Sequence, residues 1–95
     1  MDEVTHAEAT FEIVNELGLH ARAATKLVQT ASRFRCNVDV SKDGQRANAK
    51  SVMGVLLLCG ARGTFVTVHA FGAIDAPDAV RAIGELISNR FGEAQ

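Results

Sequence analysis

His20 and Arg22 stand two residues apart, where a loop of this chain gives way to a helix. Apolar side chains then recur with helical spacing, at Ala24, Leu27, Val28, Ala31 and Phe34. This spacing predicts a helix with one buried face that begins near His20. A histidine in this place is often only a helix cap or a surface residue. The chemistry that the pair could support follows from the helix end itself.

The first turn of a helix has backbone N–H groups without an internal partner and about half a positive elementary charge, so it attracts anions. Arg22 adds a planar, permanently charged fork that suits phosphate oxygens. A neutral histidine is a nucleophile and titrates near physiological pH. These residues therefore predict a histidine that accepts a phosphoryl group beside an anion-binding helix end.

Two separate segments, residues 18–24 (GLHARAA) and 48–55 (NAKSVMGV), together resemble the HPr family, the histidine-containing phosphocarriers of the bacterial phosphotransferase system. They also resemble its nitrogen-related NPr branch. The resemblance extends from Thr10 to Phe91. One departure is Ala23, where the best-known members have proline; alanine keeps a helical geometry and adds an N–H group. Some members have alanine there, so phosphoryl transfer is expected to persist, with its rate and partner choice left open.

The resemblance implies that His20 receives a phosphoryl group through Nδ1 from phosphorylated enzyme I and passes it to enzyme IIA domains. Arg22 and the backbone N–H groups of Ala21 and Arg22 would stabilise the phosphate. Such a protein is a carrier rather than an enzyme and needs no cofactor. A different hypothesis is a regulatory module that binds transcription factors or kinases according to its phosphorylation. A third is a sandwich that binds a small ligand, although no motif indicates a ligand pocket.

Ser51 precedes a short apolar helix and is typical of an N-cap residue. The resemblance adds a regulatory role, because the matching serine in many relatives is phosphorylated by HPr kinase/phosphorylase; a transcriptional regulator is a further candidate partner. The apolar helix has more apolar residues than one buried face needs, so we expect Val52, Met53 and Leu56 to face outward as a docking surface, with Lys26 adding charge. Leu56 could instead belong to the core.

Composition bounds these hypotheses. The chain has 95 residues, enough for one domain, and its net charge of −1 argues against nucleic-acid binding. We expect an N-terminal extension over residues 1–8, a domain over 9–95, a monomer, and a cytoplasmic location without membrane contact. Cys36 and Cys59 are expected to be buried free thiols, and no residue set suggests a metal site.

Alternating and helical patterns predict the order β-α-β-β-α-β-α, in a two-layer α+β fold. The predicted strands cover residues 9–15, 37–41, 46–48 and 64–71. The predicted helices run from His20 to 33–35, over 52–58, and from a cap at Asp75, with Pro77 in the first turn, to Gly92. The HPr resemblance implies an open-faced sandwich, an antiparallel sheet of strand order 1-4-2-3 with three helices on one face. His69 would then be an ordinary solvated residue on the open face.

Overall fold

A computed structural model describes residues 5–95 and shows an open-faced α+β sandwich. The strands are β1 (His6–Glu12), β2 (Asn37–Lys42), β3 (Gln45–Asn48) and β4 (Phe65–Phe71). They form one antiparallel sheet in the order β1-β4-β2-β3, which confirms the order that the resemblance implied. The helices are α1 (Ala21–Ala31), α2 (Val52–Leu57) and α3 (Ala76–Ser88), followed by a 3-10 turn over Arg90–Gly92.

The core lies between one face of the sheet and the helices. Alternate residues of β2 and β4 are fully or almost fully buried, namely Val38, Val40, Val66, Val68 and Ala70. Leu27, Ile83 and Ile87 meet them from the helices. Each such aliphatic side chain contributes roughly 1.5 to 3 kcal/mol through burial. The period of two in the strands and of 3.6 in the helices therefore determines which face of each element points inward.

The first strand begins earlier than the sequence predicted. His6, Ala7 and Glu8 pair with β4, although they were expected to belong to an N-terminal extension. Regular pairing of β1 ends at Glu12, but the Ile13 N–H still donates to the Thr64 carbonyl at 2.8 Å. The remaining part of the expected extension, residues 1–4, lies outside the described residues. The predicted hairpin between β2 and β3 is present, with φ of 50° at Asp43 and 82° at Gly44.

The C-terminal helix ends earlier than predicted. It stops at Ser88 instead of Gly92, because Arg90 and Phe91 both adopt positive φ, at 57° and 55°. This left-handed turn places Phe91 in the core, where it is fully buried. Phe91 thus extends the row of buried apolar residues of α3, although its own backbone is no longer helical. Burial of a large aromatic side chain offsets the cost of holding a residue other than glycine in that region.

Asp75 occupies the position before α3, but its side chain does not cap that helix. Its carboxylate instead accepts hydrogen bonds from the backbone N–H groups of Arg35 at 2.7 Å and Cys36 at 3.0 Å. The bond from Arg35 is the largest cause that lowers the pKa of Asp75. From the other side, the Lys50 ammonium donates to the carbonyls of Phe34 and Cys36, both at 2.9 Å. Charged side chains therefore hold the loop that leads into β2.

On the exposed face of the sheet, the His69 side chain is more buried and better hydrogen-bonded than the sequence predicted. Its ring does lie on the open face, but the side chain is only 18% exposed. Ser41 Oγ lies 2.8 Å from its Nε2, and Glu8 Oε1 lies 3.3 Å from its Nδ1. His69 is therefore not an ordinary solvated residue, because cross-strand neighbours on both sides take up its ring nitrogens.

Cys36 is buried as expected, whereas Cys59 is exposed, and both are free thiols. Cys59 lies just after α2, in a turn with φ of 55° that directs the chain out of the helix. Within residues 5–95, no helix is long and apolar enough to cross a membrane.

Thiol modification should distinguish the two cysteines. Burial raises the pKa of the Cys36 thiol to about 11, so it is both inaccessible and protonated at pH 8. We expect iodoacetamide to add one group to the native protein, at Cys59, as measured by intact mass and peptide mapping. The Cys59→Ser variant should take up a group only in denaturant. Modification of native Cys36 at the rate of Cys59 would contradict this assignment.

Candidate functional site

His20 is the N-cap residue of α1, as the sequence predicted. Its backbone is extended, with φ of −74° and ψ of 177°, and the Ala24 N–H makes the first bond of the helix, to the His20 carbonyl at 2.9 Å. The N–H groups of Ala21 and Arg22 have no hydrogen-bond partner among residues 5–95. Two backbone donors therefore lie free beside the imidazole, in the positive end of the helix.

The loop before His20 is held by a close backbone approach. Gly18 has φ of 66°, and the next N–H, that of Leu19, donates to the Gly60 carbonyl at 2.8 Å. A Cβ atom at position 18 would collide with that same carbonyl oxygen. Glycine is therefore required there both by its backbone angle and by its contact. The contact joins the start of α1 to the exit of α2.

Glu93 contacts His20 from the other end of the chain. One oxygen of its carboxylate, Oε2, is hydrogen-bonded to His20 Nε2, and the other, Oε1, accepts from Asn15 Nδ2 at 3.0 Å. Asn15 is fully buried, and its Nδ2 also donates to the Gly18 carbonyl at 2.9 Å. A carboxylate only accepts hydrogen bonds, so the neutral imidazole must carry its proton on Nε2. Nδ1 is then left with its lone pair.

The environment of Glu93 favours its charged form. The side chain is 12% exposed, and hydrogen bonds from Asn15 and then from His20 lower the pKa of its carboxyl group below the ordinary 4.5. The charge of Arg22 acts in the same direction, as does that of His20 when its ring is protonated. A lowered folded-state pKa means that the carboxylate contributes stability above pH 4.5, and that this contribution is lost as pH falls through the folded value.

The segment that carries Glu93 is itself fixed to the start of the fold. The Lys26 ammonium donates to the Phe91 carbonyl at 2.6 Å, and the Glu16 N–H donates to the Gln95 carbonyl at 3.0 Å. Lys26 was predicted as a free charge for docking, but it is half-buried and holds this C-terminal turn. Arg22 remains exposed and lines the same surface depression as Lys26 and Glu93.

Two residues of the site, Asn15 and Glu93, were missed by the sequence analysis. Asn15 precedes the Gly18 turn and resembles an ordinary loop residue. Glu93 follows the last helix, and no local spacing relates it to His20, 73 residues earlier. Among the described residues, no group of histidine, cysteine or acidic side chains is arranged to hold a metal ion.

Similarity to known proteins extends over most of the chain. Residues 7–89 match the model of the family described as "PTS HPr component phosphorylation site". The chain belongs to the HPr family. Phosphocarrier proteins of the bacterial phosphotransferase system make up this family.

HPr proteins of known sequence and structure are similar over nearly their whole length. The phosphocarrier protein HPr of Neisseria meningitidis serogroup A is 46% identical over 86 residues, which cover 90% of this chain and 96% of that protein. The crystal structure of HPr-C-His from Thermoanaerobacter tengcongensis has a TM-score of 0.88 at 44% identity, with 94% of this chain and 99% of that chain covered. A crystal structure of an HPr dimer from the same organism has a TM-score of 0.73, also at 44% identity, and covers 98% of this chain and 100% of that one.

The second HPr-like segment forms the predicted helix start. Ser51 caps α2, with its Oγ accepting from the Gly54 N–H at 3.1 Å. Met53 is 67% exposed, as predicted, whereas Val52 and Leu56 are half-buried against the core. Leu57, which was not singled out from the sequence, is 68% exposed. The apolar surface of α2 is thus formed by Met53 and Leu57, with Val52 and Leu56 at its base.

Removing the Glu93 carboxylate should change the protonation pattern of His20. In Glu93→Ala, no acceptor faces Nε2, so we expect the neutral ring to shift from the Nε2–H form to a mixture of tautomers. Imidazole ¹⁵N chemical shifts measure this directly. Glu85→Ala removes an exposed carboxylate of α3 and serves as the control. An unchanged Nε2–H form in Glu93→Ala would show that Glu93 does not set the tautomer.

Proposed function

We propose that His20 is the phosphoryl acceptor of this phosphocarrier. It receives the group on Nδ1 from phosphorylated enzyme I and passes it to enzyme IIA domains. One observation carries the proposal: Glu93 is hydrogen-bonded to Nε2, so that Nδ1 is the nitrogen with a free lone pair. Membership in the HPr family supports the same role.

In the transfer step, the Nδ1 lone pair attacks phosphorus. An N–P bond forms as the bond between phosphorus and the donor breaks, and the ring becomes more positive. The Glu93 carboxylate stabilises that charge through Nε2–H. The same step runs backwards when the group moves on to an acceptor, so a useful carrier must hold phosphate only moderately well.

Arg22 and the free N–H groups of Ala21 and Arg22 are suited to the phosphate oxygens. They lie at the positive end of α1, where an anion is stabilised by the unpaired donors and by the helix dipole. The nearby carboxylate of Glu93 opposes this attraction. We infer that this opposition keeps the phosphoryl group transferable.

We propose that the protein acts as a monomer. Every contact described around His20, from Asn15, Gly18 and Glu93, comes from the same chain. These hydrogen bonds can therefore form within one copy, although more than one of the similar structures is described as a dimer.

Phosphorylation by enzyme I and phosphoenolpyruvate should label His20 alone. A phosphoramidate is labile in acid and stable in alkali, and peptide mass spectrometry locates it. His20→Ala should lose essentially all labelling. His69→Ala should retain it and serves as the histidine control. Undiminished labelling of His20→Ala would refute the proposal.

Arg22 should assist transfer more than folding, because its side chain is exposed and lines the surface depression beside Glu93. Losing charge-assisted bonds of roughly 1.5 to 3 kcal/mol corresponds to about 10- to 150-fold in the transfer rate. We therefore expect Arg22→Ala to slow phosphorylation by that factor while the melting temperature barely changes. Arg81→Ala removes a distant exposed arginine and provides the control. A large loss of stability with normal transfer would assign Arg22 a structural role instead.

We further propose that phosphorylation of Ser51, by a kinase of the HPr kinase/phosphorylase type, regulates docking. Its hydroxyl caps α2 immediately before Val52 and Met53, with Leu56 one turn further on. A phosphate would add about −1.5 to −2 charges at pH 7. That charge is favourable at a helix start, but it would have to lose water beside an apolar docking surface and would repel an acidic partner.

Ser51→Asp should therefore slow phosphorylation of His20 by enzyme I while leaving the melting temperature roughly unchanged. Ser51→Ala is the matched variant: it loses the cap, at a cost of about 0.5 to 2 kcal/mol, but adds no charge. Initial transfer rates of the wild type and both variants are compared at low and high ionic strength. Equal rates in all three would leave Ser51 as a helix cap only.

A further inference from the structure

A second histidine, on the face of the sheet opposite the helices, is connected to a hydroxyl and a carboxylate in one row. Ser41 on β2, His69 on β4 and Glu8 on β1 cross three neighbouring strands. Ser41 Oγ lies 2.8 Å from His69 Nε2, and Glu8 Oε1 lies 3.3 Å from His69 Nδ1. The row shares no residue with the His20 site.

Hydrogen-bonding capacity determines the direction of this row. The Glu8 carboxylate can only accept, so in the neutral ring His69 Nδ1 carries the proton and Nε2 has the lone pair. The Ser41 hydroxyl then donates to Nε2. A serine that donates to a histidine, whose other nitrogen donates to a carboxylate, is the arrangement by which proteins activate a hydroxyl nucleophile. We propose that Ser41 is an activated nucleophile that accepts acyl groups from activated esters.

The charges around the row select the class of electrophile. The direct cross-strand partners of His69 are Glu8 and Asp39, and both are acidic. Arg46 is the nearby cation, but its Nε already donates to Asp39 Oδ2 at 2.8 Å. A doubly charged phosphoryl donor would be repelled by the two carboxylates, whereas a neutral ester would not.

Two features of the same face fit an ester. Arg46 is the cross-strand partner of Ser41, and its remaining guanidinium N–H groups can face the oxyanion that forms during acyl transfer. Phe71 lies two residues beyond His69 and is 37% exposed, with the Arg46 guanidinium carbon 5.8 Å from the centre of its ring; the rest of the ring offers apolar surface to an acyl chain or a leaving group. The backbone N–H groups of this central part of the sheet are used in strand pairing, so no backbone oxyanion hole forms. We therefore assign Ser41 a slow, largely stoichiometric acylation.

Acyl transfer to Ser41 uses the hydroxyl and imidazole of this row. Ser41 Oγ bonds to the acyl carbon while its proton passes to His69 Nε2. The bond between that carbon and the leaving oxygen breaks, and the leaving group takes the proton from Nε2 or departs as an anion, with the proton going to water. The product is an acyl ester of Ser41, which water can later hydrolyse.

The test uses the full chain in the His20→Ala background, so that the imidazole of the His20 site cannot react. The protein is incubated with p-nitrophenyl butyrate, and the rate of butyrylation at each serine is measured by peptide mass spectrometry. Ser88, which is exposed on α3, is the internal reference. General-base assistance is worth about 100- to 10,000-fold, so we expect Ser41 to react at least 100 times faster than Ser88.

Three variants test the role of the row. Ser41→Ala should lose the adduct from its peptide, His69→Gln should reduce Ser41 acylation to the Ser88 rate, and Glu8→Gln should reduce it partly. Thermal melting identifies any variant that fails to fold, and the Ser41-to-Ser88 ratio in the parent protein tests the proposal without them. A ratio near one, or a Ser41 rate in folded His69→Gln equal to that of the parent, would overturn it.

Discussion

The His20 site depends on the hydrogen bonds that the Glu93 carboxylate accepts. Its two oxygens meet two different donors, one on a buried asparagine and one on the imidazole. Either bond alone would leave a polar group without a partner in a place that excludes most water, which is costly. Together they fix the side chain of Glu93, and with it the choice of which imidazole nitrogen remains reactive.

A glutamate hydrogen-bonded to a histidine ring occurs twice in this small fold, with opposite effects on the tautomer. At His20 a glutamate accepts a hydrogen bond from Nε2–H, and Nδ1 keeps its lone pair. At His69 a glutamate accepts from Nδ1–H, and Nε2 accepts from a serine. The position of one acidic residue therefore decides whether Nδ1 or Nε2 of a histidine keeps its lone pair. Neither outcome requires an unusual backbone at the histidine itself.

Much of the fold was predictable because its signals are local. Alternation in Val66, Val68 and Ala70 and the Asp43-Gly44 turn identified strands and a hairpin within a few residues of each other. His20 and Arg22 were recognisable because the start of a helix is indicated by residues that are close in the sequence. Glu93, Asn15 and the Ser41–His69–Glu8 row were not, because their contacts join residues 28 to 78 positions apart. The end of α3 was misplaced because Phe91 keeps the apolar period although its backbone leaves the helix.

The left-handed turn that carries Phe91 and Glu93 has a consequence for the order of folding. The contact between His20 and Glu93 joins residues 73 positions apart, and closing so long a loop costs chain entropy unless the sheet and helices between them have already brought the two residues together. If this last turn frays while the sheet persists, the imidazole loses its acceptor and its tautomer preference. Local opening of the final few residues would therefore lower the fraction of His20 rings with a free Nδ1 lone pair without unfolding the domain, so that reactivity at His20 depends on whether the last part of the chain is docked.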